Sequence, residues 1–135
     1  MNYKIVKGNH KERGSYGKYV ARAMHLRTFT AEELQAEIQA NCSAKASDVV
    51  LVLRELKDVL MQHLKDGDKV ELPFLGTLKL ELESASVDSP EEFDPRKHIK
   101  RAKLHFLPSA KNKKRELYDG IKYHRIIPSS PQDEE

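Results

Sequence analysis

One long apolar segment constrains the fold more than any other feature of the sequence. Between Ser47 and Gly67, apolar residues recur with the period of an α-helix, and further apolar residues broaden the stripe. The stripe consists of Val49, Val52, Leu53, Leu56, Val59, Leu60 and Leu64, broadened by Val50, Leu51 and Met61. A helix that is apolar over so much of its circumference has to bury two faces. In a chain of 135 residues, we expect the second face to pack against another subunit.

Capping signals delimit this helix and a shorter one before it. Ser47 is suited to be the N-cap of the long helix, with Asp48 at its positive N-terminal end, and Gly67 is suited to end it. Thr30 and Glu33 form a Thr-x-x-Glu capping box, which predicts that the shorter helix begins at Thr30.

Alternating apolar and charged residues predict three strands after the helices. Residues 69–83 have a period of two and predict two strands joined by a tight turn or bulge at Gly76. Residues 99–107 predict a third strand whose outward side is basic, and residues 84–95 predict an exposed loop before it. A short helix is predicted over residues 110–119.

The chain ends carry weaker signals. Residues 3–7 and 18–27 predict an N-terminal β-hairpin, and residues 121–126 predict a strand that pairs with the N-terminal one. We therefore expect an α+β fold in three parts: an N-terminal β extension at 1–27, a main domain at 28–126 that includes the C-terminal strand, and a disordered acidic tail at 127–135.

Charge is strongly segregated along the chain, although the formal net charge is only +3. The net charge is +6 over residues 1–27 and +9 over residues 96–125, whereas it is −5 over 28–83, −4 over 84–95 and −3 over 126–135. Such segregation is typical of a polyanion-binding protein, although a basic strand can also serve as a solvated edge that resists aggregation.

Other classes of function have little support in the sequence. We find no phosphate-binding loop, no helical metal-ligand motif and no nucleophile with a matching base, so we predict neither enzymatic activity nor a metal or cofactor. Cys42 stands alone, which fits a free thiol in a reducing compartment. The sequence contains neither a membrane-spanning run nor a secretory signal, so we expect a cytoplasmic protein with no membrane partner and no small-molecule substrate.

Three short stretches resemble one known family when they are taken together in this order. They are Leu64-Lys65-Asp66-Gly67-Asp68, Leu75-Gly76-Thr77-Leu78-Lys79 and Phe106-Leu107-Pro108-Ser109-Ala110-Lys111. Over roughly residues 28–119, their order and spacing are similar to those of the HU and integration-host-factor family of bacterial histone-like proteins. The additional N-terminal hairpin and C-terminal strand resemble those of extended HU-like proteins of Bacteroides-type bacteria.

The resemblance implies an intertwined homodimer in the nucleoid that binds double-stranded DNA. Each chain would have two N-terminal helices, a three-stranded antiparallel sheet with a β-arm, and a short C-terminal helix. Binding would be largely independent of sequence, through phosphates and the minor groove. The dimer core would contain Val52, Leu53, Leu56, Leu60, Leu64 and Phe106. The expected DNA contacts are Arg96, Lys97, Lys100, Arg101, Lys103, Lys111, Lys113, Lys114, Arg115 and Lys79.

The arm departs from the family pattern. Pro90 lies near the position of the proline that the family inserts between base steps, but Glu91, Glu92 and Asp94 surround it. Whether the DNA is bent is therefore left open by the sequence. Phe74 stands where the family usually has glycine, and Ala110 replaces another glycine.

Two alternatives to duplex DNA binding remain. In the first, the acidic loop weakens DNA binding and the dimer serves as a protein-interaction or structural module. In the second, the protein binds RNA or single-stranded nucleic acid, with exposed aromatic residues stacking on bases.

Overall fold

The structure, a computed structural model, describes residues 1–9, 14, 16–111 and 114–127, with Lys111 and Lys114 described by their backbone alone. The elements in chain order are β1 (Asn2–Lys7), β2 (Tyr19–Met24), α1 (Ala31–Asn41), α2 (Ala46–Lys65), β3 (Val70–Leu72), β4 (Gly76–Ser84), α3 (Pro95–His98), β5 (Ile99–Pro108), β6 (Ala110–Lys111), β7 (Lys114–Arg115) and β8 (His124–Arg125). Short 3-10 turns occupy Pro90–Glu92 and Glu116–Tyr118. The α+β class predicted from the sequence is confirmed.

The chain divides into two compact units, the first of which is discontinuous in sequence. The first unit combines residues 1–34 with the segment from Gly120 onward, and the second comprises residues 35–119. The second unit is thus an insertion, in sequence, within the first.

The first unit is built on a three-stranded sheet in the order β2-β1-β8. The strands β1 and β2 are antiparallel, from Asn2 opposite Met24 to Lys7 opposite Tyr19, whereas β8 runs parallel to β1. Backbone hydrogen bonds of 3.0 Å from His124 N to Met1 O and 2.8 Å from Ile126 N to Tyr3 O hold β8 in place. The N-terminal hairpin and its pairing with the C-terminal strand are confirmed.

The second unit contains an antiparallel sheet in the order β3-β4-β5. The predicted turn between β3 and β4 is confirmed: β4 begins at Gly76, which has a φ of 154°. A Cβ atom at Gly76 would lie 2.3 Å from the carbonyl oxygen of Leu107 and 2.8 Å from the ring of Phe106. Only glycine allows β4 and β5 to approach this closely at this point.

The predicted capping box of α1 is confirmed. Thr30 Oγ1 accepts a hydrogen bond of 3.2 Å from Glu33 N, and Glu33 Oε2 accepts one of 2.8 Å from Thr30 N. Arg27 stabilises the same carboxylate through an ion pair of 2.8 Å, and the pKa of Glu33 is therefore lowered.

The start of α2 differs from the prediction, whereas its end agrees with it. Ser47 was predicted as the N-cap, but the helix begins at Ala46 and its N-cap is Lys45. Asp48, in the third helical position, accepts a hydrogen bond of 3.1 Å from Lys45 N, so that its carboxylate satisfies the free donor without a Ser cap. Gly67 terminates the helix with a φ of 93° and donates a hydrogen bond of 3.2 Å to Leu64 O.

The helix predicted over residues 110–119 is wrong. This segment instead contains the paired short strands β6 and β7, with Lys111 opposite Lys114, followed by the 3-10 turn Glu116–Tyr118. Lys111 and Lys114 are neighbours in both arrangements, three residues apart on a helix and directly opposite in the pair of β6 and β7, so charge repulsion does not decide between them.

A single chain has almost no buried core. Among the described residues, Val49 on α2 is the only buried hydrophobic side chain, with 6% of its surface exposed. Of the residues predicted to form a dimer core, Val52 is 64% exposed and Leu56 is 39% exposed. Leu53, Leu60, Leu64 and Phe106 are half-buried. The apolar stripe of α2 is therefore largely uncovered in the single chain.

Candidate nucleic-acid interface

The two long strands β4 and β5 form a ribbon with two chemically different faces. Side chains alternate between the faces of a strand, and residues directly opposite in an antiparallel pair share a face. One face, here called the charged face, carries Lys79, Glu81 and Glu83 with their partners His105, Lys103 and Arg101. The other, here called the apolar face, carries Leu78, Leu80 and Leu82 with their partners Phe106, Leu104 and Ala102.

Several of the predicted DNA-contacting cations on the charged face form ion pairs with carboxylates. Glu83 Oε2 lies 2.8 Å from Arg101 Nε and 2.9 Å from Lys103 Nζ, so a single oxygen atom serves both cations. Lys79 Nζ lies 2.7 Å from Glu81 Oε1. Hydrogen bonds from Arg101 and Lys103 lower the pKa of Glu83 to about 2, and the hydrogen bond from Lys79 lowers the pKa of Glu81.

Lys100 is separated from these ion pairs by a β-bulge. Glu83 is opposite Arg101 and Ser84 is opposite Ile99, which leaves Lys100 as an extra residue on β5. A bulge of this kind bends the strand and changes the direction of a side chain. Lys100 is exposed, and within the described part of the chain no carboxylate lies at ion-pair distance from it.

Arg96 and Lys97, which were predicted as DNA contacts, lie on the short helix α3 just before β5. Pro95 occupies the first helical position, where its fixed φ and missing N–H favour a helix start. The Asp94 side chain then accepts a hydrogen bond of 3.0 Å from Arg96 N. No ion pair involving Arg96 or Lys97 occurs among residues 1–9, 14, 16–111 and 114–127.

The segment between β4 and β5, predicted as an exposed loop over residues 84–95, contains local structure. Ala85 N donates a hydrogen bond of 2.8 Å to His98 O, which closes the segment at its base. Asp94 N donates one of 2.8 Å to His98 Nδ1, and the His98 ring lies 5.4 Å from that of Phe93. Pro90 begins the 3-10 turn and is exposed, with Glu91 and Glu92 beside it.

The predicted basic contacts after β5 are only partly located. Lys111 and Lys114 face each other across β6 and β7, and Arg115 is exposed, while Lys113 lies outside the described residues. Because no helix begins at Ser109 or Ala110, this segment has no helix N-terminus that could bind phosphate.

Sequence reasoning identified the cations of the ribbon but missed their carboxylate partners. The signal was present in the pattern Lys-x-Glu-x-Glu over residues 79–83, which faces Arg-x-Lys over residues 101–103 once the strands are paired. It could be found only with the register known, since a shift of one residue exchanges the two faces.

Comparison with known proteins identifies the architecture that carries this ribbon. The model of the HU-HIG family, described as an HU domain fused to a winged helix-turn-helix, immunoglobulin-like or glycine-rich motif, matches residues 1–122. The chain belongs to the HU-HIG family. None of the curated proteins matches it.

A solved structure extends the likeness of this HU-HIG chain to its three-dimensional fold. It is the crystal structure of a candidate bacterial DNA-binding protein from Bacteroides vulgatus, with a TM-score of 0.62 and 11% sequence identity. The likeness covers 93% of this chain and 47% of that one, so this chain spans about half the length of the structure that it matches. At this identity, the comparison concerns the fold alone.

One turn of this HU-HIG chain contains a residue with an unusual backbone conformation. Phe74, at a position where the histone-like family usually has glycine, has a φ of 66° and is 99% exposed. Left-handed backbone is costly for a bulky residue, and burial of the ring does not offset the cost here. Ser109 N donates a hydrogen bond of 2.9 Å to Leu75 O and ties the same turn to the end of β5.

The described residues of this HU-HIG chain contain neither a metal-binding cluster nor a membrane-spanning helix. Across the described ranges, no group of three or more His, Cys, Asp or Glu residues is arranged to hold a metal ion. None of the helices in the same ranges has the length and apolarity needed to cross a bilayer. The Cys42 thiol is exposed and lies 3.1 Å from the carbonyl oxygen of Ile38.

Proposed function

We propose that this HU-HIG chain binds double-stranded DNA largely without sequence preference, as a homodimer that contacts phosphates and the minor groove. The observation that carries the proposal is the two-faced ribbon: cations on and beside one face, and uncovered leucines on the other. The family assignment and the neighbour described as a candidate DNA-binding protein support the same function. We assign the protein to the bacterial cytoplasm and nucleoid, where its DNA would be found.

The contacts fall into two groups with different energetics. Lys100, Arg96 and Lys97 have no carboxylate at ion-pair distance among the described residues and would meet phosphate directly. Arg101, Lys103 and Lys79 would have to exchange Glu83 or Glu81 for phosphate, which lowers their net contribution. The further contacts are Lys111, Lys113, Lys114 and Arg115, with Pro90 as the candidate wedge.

The apolar surfaces support the homodimer. Val52 on α2, Leu82 on β4 and Leu104 on β5 are each more than 60% exposed in the single chain. Burial of such side chains stabilises proteins by about 1.5–3 kcal/mol each, so a second copy that covers them would supply the missing core. We further propose that, within the domain expected at 28–126, the second unit carries the duplex-binding surface, while the C-terminal strand pairs with the extension at 1–27.

Gel-shift titration tests the function directly. If about 6–10 phosphates are neutralised, duplex affinity falls about a thousandfold or more between about 50 and 200 mM salt. Replacing Lys100, Arg101 and Lys103 together by Ala weakens binding on all duplex sequences alike. A salt-independent affinity overturns the phosphate mechanism.

The same titration separates the alternatives. The paired carboxylates Glu81 and Glu83 favour the assembly module as the second candidate, because they neutralise cations that DNA would otherwise use. Absence of binding to duplex, four-way or single-stranded DNA and to RNA would favour that candidate. Bending is tested by comparing the wild type with Pro90→Ala in a circularisation assay on the same duplex. Equal bending excludes the proline wedge.

A further inference from the structure

The sheet of the first unit is basic throughout its described strands and the residues next to them. The segments 1–9, 16–24 and 121–127 contain the cations Lys4, Lys7, Lys18, Arg22, Lys122 and Arg125 and not one Asp or Glu. The connecting residues 10–15 add Lys11, Glu12 and Arg13. This sheet differs from the ribbon β4–β5, where Glu81 and Glu83 neutralise neighbouring cations.

One face of this sheet combines tyrosines with cations. Tyr3, Ile5 and Lys7 of β1 share a face, because side chains alternate along a strand. The register places Ala23, Ala21 and Tyr19 of β2 opposite them, and Arg125 of β8 beside Tyr3. We call this set of residues the tyrosine face.

The geometry of the tyrosine face fits a short extended strand of nucleic acid. Lys7 is directly opposite Tyr19 at one end, and Arg125 is beside Tyr3 at the other. The rise along β1 places these ends about 13 Å apart. Between these two ends lie Ile5 of β1 and two alanines of β2. The small side chains of the alanines leave an open strip beside Ile5.

Of the two tyrosines on this face, Tyr19 is exposed and Tyr3 is half-buried. Tyr19 is 71% exposed, and Ile5 beside it is 37% exposed. Tyr16 and Tyr123, in the adjoining connections, are 52% and 66% exposed. An exposed aromatic ring beside a cation provides a π-face for a base and a charge for the neighbouring phosphate.

We propose that the tyrosine face is a second nucleic-acid-binding surface, which takes single-stranded DNA by stacking bases on Tyr19 and Tyr3 and pairing phosphates with Lys7 and Arg125. This surface is independent of the duplex-binding ribbon of the second unit. A duplex hides its bases inside the helix, whereas a single strand offers them to the tyrosines. Between its tyrosines the face has only Ile5 and two alanines, and covering a ribose 2′-hydroxyl with these apolar side chains costs free energy, which favours DNA over RNA.

Fluorescence anisotropy with the full-length chain tests the assignment. The probe is a labelled oligothymidylate of about 20 nucleotides, which does not pair with itself, and a duplex of equal length is the comparison. Tyr19→Ala is expected to lower the affinity for the single strand about tenfold, since stacking contributes strongly for each base. The duplex affinity is expected to change less than about twofold. Tyr19→Phe, which keeps the ring, is expected to retain the wild-type affinity.

Matched controls separate this surface from the ribbon. Lys7→Gln with Arg125→Gln weakens single-strand binding, whereas Lys57→Gln, on α2 and paired with Asp58 at 2.8 Å, does not. Tyr118→Ala removes another exposed tyrosine, 56% exposed, from the second unit and leaves single-strand binding unchanged. The Lys100, Arg101 and Lys103 triple variant has the opposite pattern, losing duplex and keeping single-strand affinity.

Three results overturn the proposal. They are failure of the wild type to bind the oligothymidylate, an equal loss on duplex and single strand in Tyr19→Ala, and tighter binding of an oligouridylate than of the oligothymidylate. Failure of the wild type to bind duplex DNA would contradict the function proposed for the ribbon. It would not affect the conclusion drawn from single-strand binding.

Discussion

Arg101 donates a hydrogen bond of 2.8 Å from its Nε to Glu83 Oε2, directly across the antiparallel register of β4 and β5. The same oxygen atom lies 2.9 Å from Lys103 Nζ. In the proposed function, a DNA phosphate would take the position of Glu83 between these two cations. Duplex binding at this point would then be an exchange of one anion for another.

The exchange predicts that Glu83→Gln strengthens duplex binding. Without the carboxylate, Arg101 and Lys103 no longer have a competitor for phosphate, and we expect the affinity to rise about threefold to tenfold. Gel shifts at about 50 mM salt measure the change. Glu55→Gln on α2 is the matched control, since it removes the same charge without touching the ribbon. Weaker binding by Glu83→Gln would show that the carboxylate positions the cations for DNA.

The pH dependence of the Glu83 ion pairs is the second prediction. The pKa of Glu83 is about 2 in the folded chain, against an ordinary value of 4.5. A carboxyl with a lowered pKa stabilises the fold above its unfolded pKa, so this contribution is complete above about pH 4.5 and is lost as the pH falls toward about 2. NMR titration of the Glu83 carboxyl carbon is expected to give a midpoint near 2. In the Arg101→Gln, Lys103→Gln double variant the midpoint returns toward 4.5, whereas a wild-type midpoint near 4.5 would exclude the ion pairs in solution.

Lys100 is expected to contribute more to duplex binding than Lys103. Lys100 is the extra residue of the bulge and displaces no carboxylate, whereas Lys103 has to leave Glu83. Lys100→Ala should lower the affinity about fivefold and reduce the salt slope by about one unit. Lys103→Ala should cost about twofold in the wild type and more in the Glu83→Gln background. Equal losses from Lys103→Ala in both backgrounds would contradict competition by Glu83.

A charge at Val52 tests the homodimer. Val52 is 64% exposed in the single chain, so Val52→Lys would cost little in a monomer. In a dimer that buries this part of α2, an unpaired charge is strongly destabilising, and we expect the dissociation constant to rise about a hundredfold or more. Sedimentation equilibrium measures this constant, with Gln62→Lys, an exposed polar position on α2, as the control. A monomeric wild type would overturn the homodimer.

Gly76→Ala is expected to destabilise the sheet of the second unit. The new Cβ atom would meet the Leu107 carbonyl oxygen at 2.3 Å, so the backbone of β5 has to move, at a cost of about 2–4 kcal/mol. Gly67→Ala is the control, because Gly67 also has a positive φ but has no atom within 4 Å of the added Cβ. It should cost about 1 kcal/mol. Urea denaturation measures both; equal losses would mean that conformation alone, and not the close strand approach, requires glycine.

Local signals predicted the elements that depend on local interactions. The Thr30 and Glu33 capping box, the helical stripe of α2 and the period of two in β4 and β5 each contain their own evidence within a few residues. The segment 110–119 misled the prediction because local helix signals cannot weigh a helix against the alternative pairing of β6 with β7.

The site required information that no local pattern contains. Lys100 and Lys103 look equivalent in sequence, but the bulge separates one from Glu83 and the register brings the other to it. The position of Arg96 and Lys97 on α3 depends on Asp94 and Pro95, which the sequence interpretation treated only as part of an acidic loop. The basic charge of the arm was thus predictable from the sequence. Which of its cations form ion pairs with Glu81 or Glu83 was not.

The parallel pairing of β1 with β8 has a consequence for the order of folding during synthesis. Tyr3 leaves the ribosome early, but its neighbour Arg125 follows only after the whole of the second unit has been made. Pairings between such distant residues form slowly, since a long loop has to close first. On a growing chain, the β1 edge of the hairpin β1–β2 therefore stays unpaired until translation has passed β8. We expect the first unit to be the last part of the protein to mature.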